Sequence, residues 1–365
     1  MIRVVYTIDD LQCGGAETMM VRIAGTLNKA EFFPIVLAKH MRGLLGEELA
    51  RKSIRSMNGG FALQWMDGRL GRMRCLAAAM RLRAMRASVV HSFMPLGHKS
   101  EAQVCKAAGL PFVVRLADVG AHAMSPVMTY RLREATAIVA VSESAARAYC
   151  SEEALRRKVV VLHNGVDLEE FAPRRPDPRI RRDLGVPEDR LLIACVANLR
   201  LVKGHRYLVK AFSRLSCDGQ AYLLLVGNGP EQLALEEMAT SLGIAHFIRI
   251  IHTRGIAQIL NASDVFVLPS VSEGCPVALL EAMASGLPCV TTDSYGHEFV
   301  RSGIDGLVVP VADEEALADA LRRLAVDADL RVRLGTEARA TAERCFDIHH
   351  TATAHERIYR TLAGR

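Results

Sequence analysis

The sequence predicts an α/β protein made of two doubly wound domains, and three observations carry that expectation. Short, nearly continuous apolar runs alternate with helical patterns along most of the chain, as parallel strands do when helices cover both faces of their sheet. The alternation breaks at 171–190 (FAPRRPDPRIRRDLGVPEDR), where four prolines and many charges read as a linker or surface crossover. The chain also has 365 residues, whereas single cores stop growing near ~250. The expected division is a first domain over 1–172, a linker over 173–188, a second domain over 189–346, and a C-terminal helix over 347–365 returning to the first domain.

Taken in order, the first series places strands at 2–8, 33–38, 89–93, 112–116, 137–141 and 159–163. Amphipathic stretches at 16–27, 73–85 and 142–151 lie between them. The second series runs strand 191–197, helix 205–215, strand 221–226, helix 231–242 and strand 247–251. It continues with strand 265–269, a helix through 278–284, and strands at 288–292 and 306–309. Helices at 313–324 and 328–345 follow, then the tail helix at 349–362. Two doubly wound halves joined by one crossover imply a cleft, and ligands of such sheets bind outside the carboxyl ends of the strands. An interdomain site is therefore expected.

Composition narrows the class. With 50% hydrophobic and 24% charged residues, the chain can bury a core, which excludes disorder. No apolar run reaches the ~18–20 residues of a membrane span, and MIRVVYTIDD lacks the apolar run of a signal peptide. Nine dispersed cysteines without a Cys-x-x-Cys pair read as reduced thiols, so a cytoplasmic protein is expected. The net charge of +6 is uneven. Residues 1–172 carry 23 basic and 16 acidic side chains, 173–188 five and three, and 189–365 carry 18 and 21. The first half thus favours an anionic partner.

Three constellations could carry chemistry. Gly14-Gly15-Ala16-Glu17 follows the first strand and opens a helix; adjacent glycines permit close ligand approach, or simply serve the turn. Asn198-Leu-Arg200-Leu-Val-Lys203-Gly204 follows a strand of the second half, where two cations on one loop suit a diphosphate, or are merely solvated. The sharpest string is LPSVSEGCPVALLEAMASGLP, 268–288. Pro276 suits the first turn of a helix and Gly286 its end. Glu273 falls just before that helix and Glu281 two turns along, where a carboxylate suits the paired hydroxyls of a ribose and the helix N-terminus suits phosphates.

These strings resemble the retaining nucleotide-sugar glycosyltransferases of group 1, or family 4, whose fold is two Rossmann-like domains facing across a cleft (GT-B). Glu273 and Glu281 match the family's Glu-x7-Glu motif, and Gly14 to Glu17 its N-terminal glycine loop. His163-Asn-Gly-Val-Asp167 with Phe171-Ala-Pro173, Leu225-Val-Gly227-Asn-Gly-Pro230, and 262–270 also follow the pattern. The resemblance implies that Glu281 binds the ribose and that Glu273 lies near the donor sugar. It sets Gly274, Cys275, Pro276 and Val277 around the sugar, with Gly227 on the donor side and Arg200 and Lys203 neutralising the leaving diphosphate. Gly14 and Gly15 would let the first-domain loop close over the donor. A metal-independent hexosyl transfer with retained configuration is implied, without a cofactor. The donor would be a UDP-sugar ahead of a GDP-sugar, and the acceptor a glycan or lipid-linked sugar of cell-surface polysaccharide or glycolipid synthesis. Two positions depart from the family: Asn198 stands where an Arg is frequent, and Ala117 or Asp118 where a His usually follows the strand. Arg115, Asp118 and His122 are the nearby replacements; Asp118 and His122 are taken as catalytic candidates. His91 matches another frequent position, or is a packed strand-end histidine.

Six arginines lie within 69–86. On a helical wheel Leu70, Met73, Ala77, Met80 and Ala84 form one apolar face, with Arg72, Arg83 and Arg86 on one flank and Arg74 and Arg81 on the other. Either this face packs on the sheet and the arginines are a solvated rim, or the segment draws the first domain to anionic lipid at the inner face of the cell membrane. Nucleic acid is not expected, since aromatics are not interleaved with the basic residues. A non-catalytic nucleotide-sugar-binding or partner protein of the same fold is the alternative to an enzyme. A nucleotide-sugar 2-epimerase fits less well, because the Glu-x7-Glu string belongs to the transferase pattern.

Overall fold

The computed structural model describes residues 1–12, 14–41, 43, 45–59, 68–94, 97–117, 125–215, 220–294 and 298–364. They form two compact units, the first of residues 1–165 and 348–365 and the second of 166–347.

The first unit holds a seven-stranded parallel sheet. Its strands are β1 (Ile2–Ile8), β2 (Phe32–Ala38), β3 (Arg55–Asn58), β4 (Val89–Ser92), β5 (Phe112–Leu116), β6 (Ala137–Ala140) and β7 (Val159–Val161), in the order β3-β2-β1-β4-β5-β6-β7. The order reverses between β1 and β4, the switch point at which doubly wound sheets bind ligands. Central strands are fully buried, so they read as apolar runs; β3, with sequence RSMN, is a half-exposed edge and shows no such run. The Lys99–Ala108 and Pro126–Glu134 helices, which the pattern did not predict, are short and locally capped. Ser125 Oγ, for example, accepts from Met128 N at 3.1 Å.

The C-terminal helix Ile348–Leu362 lies in this unit. Glu356 accepts from Asn28 N at 2.7 Å, Arg360 grips Glu31 through two bonds of 2.8 Å, and Tyr359 is fully buried against Tyr6 and His91. His91 is itself wholly buried: its Nδ1 lies 2.7 Å from Tyr359 Oη and its ring stacks on His355. It is a packed strand histidine.

The Gly68–Ala84 helix packs the opposite way from a sheet-packing reading of its apolar stripe. Gly71, Ala79 and Leu82 are buried, whereas Leu70, Met73, Leu76 and Met80 are 57–68% exposed.

The second unit is a six-stranded parallel sheet of β8 (Leu191–Val196), β9 (Ala221–Val226), β10 (Ile248–Ile251), β11 (Val265–Leu268), β12 (Cys289–Thr292) and β13 (Leu307–Val309), ordered β10-β9-β8-β11-β12-β13. Its switch point lies between β8 and β11. Residues 173–188 belong to this unit and are tied to it: Arg181 bonds Ala262 O at 2.9 Å, Arg190 O at 2.8 Å and Asp264 at 2.5 Å. Asp327 caps the Ala328–Cys345 helix by accepting from Leu330 N at 2.8 Å. Among the described residues, no helix is long and apolar enough to cross a membrane.

Candidate functional site

The switch point of the second unit sets two loops side by side. Beyond β8 the chain runs through Asn198 and Arg200 into a 3₁₀ turn, Leu201–Lys203, and ends it at Gly204 with φ +69°. A Cβ at Gly204 would stand 2.0 Å from the Pro269 carbonyl oxygen, so only glycine lets this loop lie against the end of β11. Val271 N donates to Val202 O at 2.8 Å and stitches the loops together. Gly227, at φ +157°, approaches the β8 loop in the same manner; a Cβ there would meet Ala197 O at 2.1 Å.

That geometry brings Lys203 to Glu273. Lys203 Nζ donates to Glu273 Oε1 at 2.7 Å, and Ser270 Oγ donates to the same oxygen at 2.7 Å. Both partners use Oε1; Oε2 takes no protein donor among the described residues. Glu273 is 8% exposed, and the Lys203 side chain 25%. Ser270 is held in turn by Thr292, whose Oγ1 donates to Ser270 O at 2.5 Å. Three residues beyond Glu273, Pro276 caps the Val277–Ala284 helix, whose first amide groups lack intrahelical acceptors, as at every helix N-terminus. Glu281 lies in the second turn, buried at 6% exposure. Gly274, Cys275, Pro276 and Val277 connect the two carboxylates.

Arg200 is exposed and lines a pocket of about 310 Å³ with Gly204, His205, Lys210, Glu231 and Val271 among others; Lys203 and Glu273 are not in its wall. His205, next after Gly204, is buried, and both its ring nitrogens lack a partner among the described residues; burial and the adjacent Lys203 push its pKa down to about 4. It is therefore neutral at physiological pH. Sequence reasoning missed Ser270 and His205 as parts of the site, although both border its motifs.

In the first unit Gly14 caps the Gly15–Thr26 helix, and a Cβ on it would meet the Glu17 carboxylate at 2.3 Å. Burial, with Asp10 and Asp9 nearby, raises the Glu17 pKa. Arg115 is buried, donates to Asn164 Oδ1 at 2.7 Å and lies over the Phe93 ring. Asp118 and His122 lie outside the described residues. The structure also reveals a polar cluster that no sequence pattern marked. Glu101 accepts from Thr7 Oγ1, from Ser92 Oγ at 3.1 Å and from Arg131 Nη2 at 2.9 Å, with both charged side chains fully buried.

The family described as Glycosyl transferases group 1 matches residues 176–341, and Glycosyltransferase Family 4 matches 13–170. A D-inositol 3-phosphate glycosyltransferase of Corynebacterium urealyticum is 32% identical over 221 residues, 57% of this chain and 52% of that protein. The UDP-Gal:alpha-D-GlcNAc-diphosphoundecaprenol alpha-1,3-galactosyltransferase of Escherichia coli is 31% identical over 182 residues, 48% of this chain and 47% of its own. The chain thus spans about half the length of these curated relatives. Anabaena Alr3699/HepE, solved in complex with UDP-glucose, superposes over 100% of both chains with a TM-score of 0.83 at 20% identity, a likeness of fold.

Proposed function

Because the chain belongs to the group 1 glycosyl transferases and has their GT-B fold, we propose that it moves a sugar, with retention of anomeric configuration, from a nucleotide-diphosphate donor to a glycan or lipid-linked acceptor. A UDP-sugar is the favoured donor, supported by the UDP-glucose bound in the Anabaena protein. A lipid-linked acceptor is supported by the diphosphoundecaprenol substrate in the name of the E. coli relative. Cell-surface polysaccharide or glycolipid synthesis on the cytoplasmic side is the setting that fits.

The observation that carries this reading is the Lys203–Glu273 pair at the switch point, eight residues before a second buried carboxylate. Breaking a glycosyl–phosphate bond builds negative charge on the departing diphosphate, and a fixed cation stabilises that charge most where water is scarce. Lys203 supplies the cation, and Glu273 and Gly204 hold it ready. The Glu273 Oε2 is left to accept a donor-sugar hydroxyl, while amides at the start of the Val277–Ala284 helix face phosphate and Glu281 accepts from the ribose. Arg200, exposed on the same loop, is free to swing to the diphosphate. For the first unit, Asp118 and His122 are the proposed catalytic candidates, and Gly14 and Gly15 the proposed donor-facing loop.

The test is donor binding by calorimetry across UDP- and GDP-sugars, followed by UDP release and product anomer determination. Lys203→Ala is expected to lower kcat by ~10²–10³, and Glu273→Gln to lower kcat with donor affinity nearly kept. Kinetics unchanged in both variants would remove the site assignment. Tight donor binding without hydrolysis or transfer, over a broad acceptor panel, would select the non-catalytic binding protein instead.

A further inference from the structure

The Gly68–Ala84 helix carries an apolar face that no described residue covers. Leu70, Met73, Leu76 and Met80 are 61%, 68%, 57% and 63% exposed, and Ala77 and Ala84 lie on the same side. Isolated exposed leucines and methionines are ordinary on protein surfaces; a stripe of four along about 15 Å of one helix is not. The stripe points directly away from Gly71, Ala79 and Leu82, which pack inward. The amphipathic pattern is therefore inverted relative to the core, so packing does not explain it.

Charge identifies the occupant. Arg72 and Arg83 flank the stripe on one side and Arg74 and Arg81 on the other, Arg69 sits at its N-terminal end, and the helix has no Asp or Glu. Arg83 is spread along the Ala107 and Ala108 carbonyls, and Arg81 holds Asn58 O. Arg69, Arg72 and Arg74 make no hydrogen bond or ion pair among the described residues. A second copy of the chain docking on this face would oppose arginine rows with arginine rows and no counter-charge. An anionic bilayer meets the demand of both flanks at once while burying the stripe at the headgroup boundary, the geometry of an interfacial amphipathic helix.

We propose that the Gly68–Ala84 helix is a membrane-surface anchor that seats the first unit on anionic phospholipid. The inference is independent of the donor chemistry, since none of its residues belongs to the Lys203–Glu273 site.

The full-length protein would be floated with vesicles of phosphatidylcholine alone and with vesicles of phosphatidylcholine and phosphatidylglycerol in equal parts. Binding is expected only to the anionic vesicles, weakening as salt is raised. Arg72→Gln with Arg74→Gln should weaken partition on the order of tenfold or more, and Leu76→Gln with Met80→Gln by a similar factor. Both pairs are exposed, so melting temperature and donor affinity should stay at the wild-type values. Equal partition to neutral vesicles, no partition to either, or wild-type partition by both variants would overturn the proposal. So would a concentration-dependent dimer abolished by Leu76→Gln with Met80→Gln, or capture by an acidic polypeptide in preference to vesicles.

Discussion

In the first unit Glu101 accepts from Thr7, Ser92 and Arg131 inside the sheet core, whereas in the second Glu273 accepts from Ser270 and Lys203 at a loop edge. Both are carboxylate–cation pairs at a sheet's switch point. The side chains of Glu101 and Arg131 are wholly buried, while those of Glu273 and Lys203 keep 10% and 25% of their exposure. Glu101 engages both oxygens with three donors and is wholly buried, so a ligand cannot reach it. Glu273 spends one oxygen, and its partner can be reached from solvent. Burial and saturation turn the first pair into a fastener; partial exposure leaves the second exchangeable. The same residue chemistry thus occupies two settings, and the difference lies in burial and in how many carboxylate oxygens are engaged.

The largest test of that contrast is Glu101→Ala. It leaves Arg131 charged, fully buried and short of its acceptor, and breaking such a pair from one side costs about 3–5 kcal/mol. The loss should be confined to the first unit, read as faster amide exchange in β1, β4 and the Lys99–Ala108 helix. Donor affinity, read by calorimetry, should hold near its wild-type value. Exchange accelerated equally in both units would end the distinction between fastener and site.

Acid should separate the units next. His91 and His355 are buried in the first unit and His205 in the second, and burial is the leading cause that lowers all three pKa values. Arg115 presses further on both first-unit histidines, and His355 on His91; for His205 the added cause is Lys203. Against an unfolded value near 6.5, His355 and His205 sit at about 4. The unfolded chain therefore takes up protons first as pH falls. The stability these groups contribute is present above about 6.5 and is lost towards about 4, roughly 3 kcal/mol per histidine. Glu17, whose pKa is raised chiefly by burial, works in the opposite sense and offsets part of the loss in the first unit. Calorimetric melts at pH 7, 5.5 and 4.5 should show the first-unit transition, identified by its shift in Glu101→Ala, falling further than the second. A second-unit transition that falls as far or further would break the comparison.

How much of this was legible in the sequence follows from distance along the chain. The proposed donor-side site is written in two contiguous strings, 198–204 and 268–288, so turn residues, helix punctuation and carboxylate spacing could all be read locally. The Glu101 cluster draws on Thr7, Ser92 and Arg131, and no local pattern joins them. Parallel pairing of β1 with β4 does. β3 was missed because an edge strand of Arg, Ser, Met and Asn has no buried face to generate an apolar run. The Gly68–Ala84 helix teaches a third limit. Periodicity establishes that one face is apolar, yet Gly71, Ala79 and Leu82, small or isolated on the wheel, turned out to be the packed side.

The smallest expected effect bears on Glu281. It is buried like Glu101 yet sits in the same motif as Glu273, so it can be sorted with either. If it serves the donor, Glu281→Ala removes a charged acceptor for ribose hydroxyls, and losing such hydrogen bonds costs about 1.5–3 kcal/mol, roughly ten- to a hundredfold in donor Kd. Because the ribose is bound alike before and during bond breaking, kcat at saturating donor should change little. If it is instead a fastener, the variant should lower the second unit's melting temperature while leaving the affinity of folded protein alone. Measuring donor Kd and melting temperature on the same preparation separates the two. A raised Kd with an unshifted melt places Glu281 with the exchangeable carboxylate, and a shifted melt with unchanged Kd moves it to the side of Glu101.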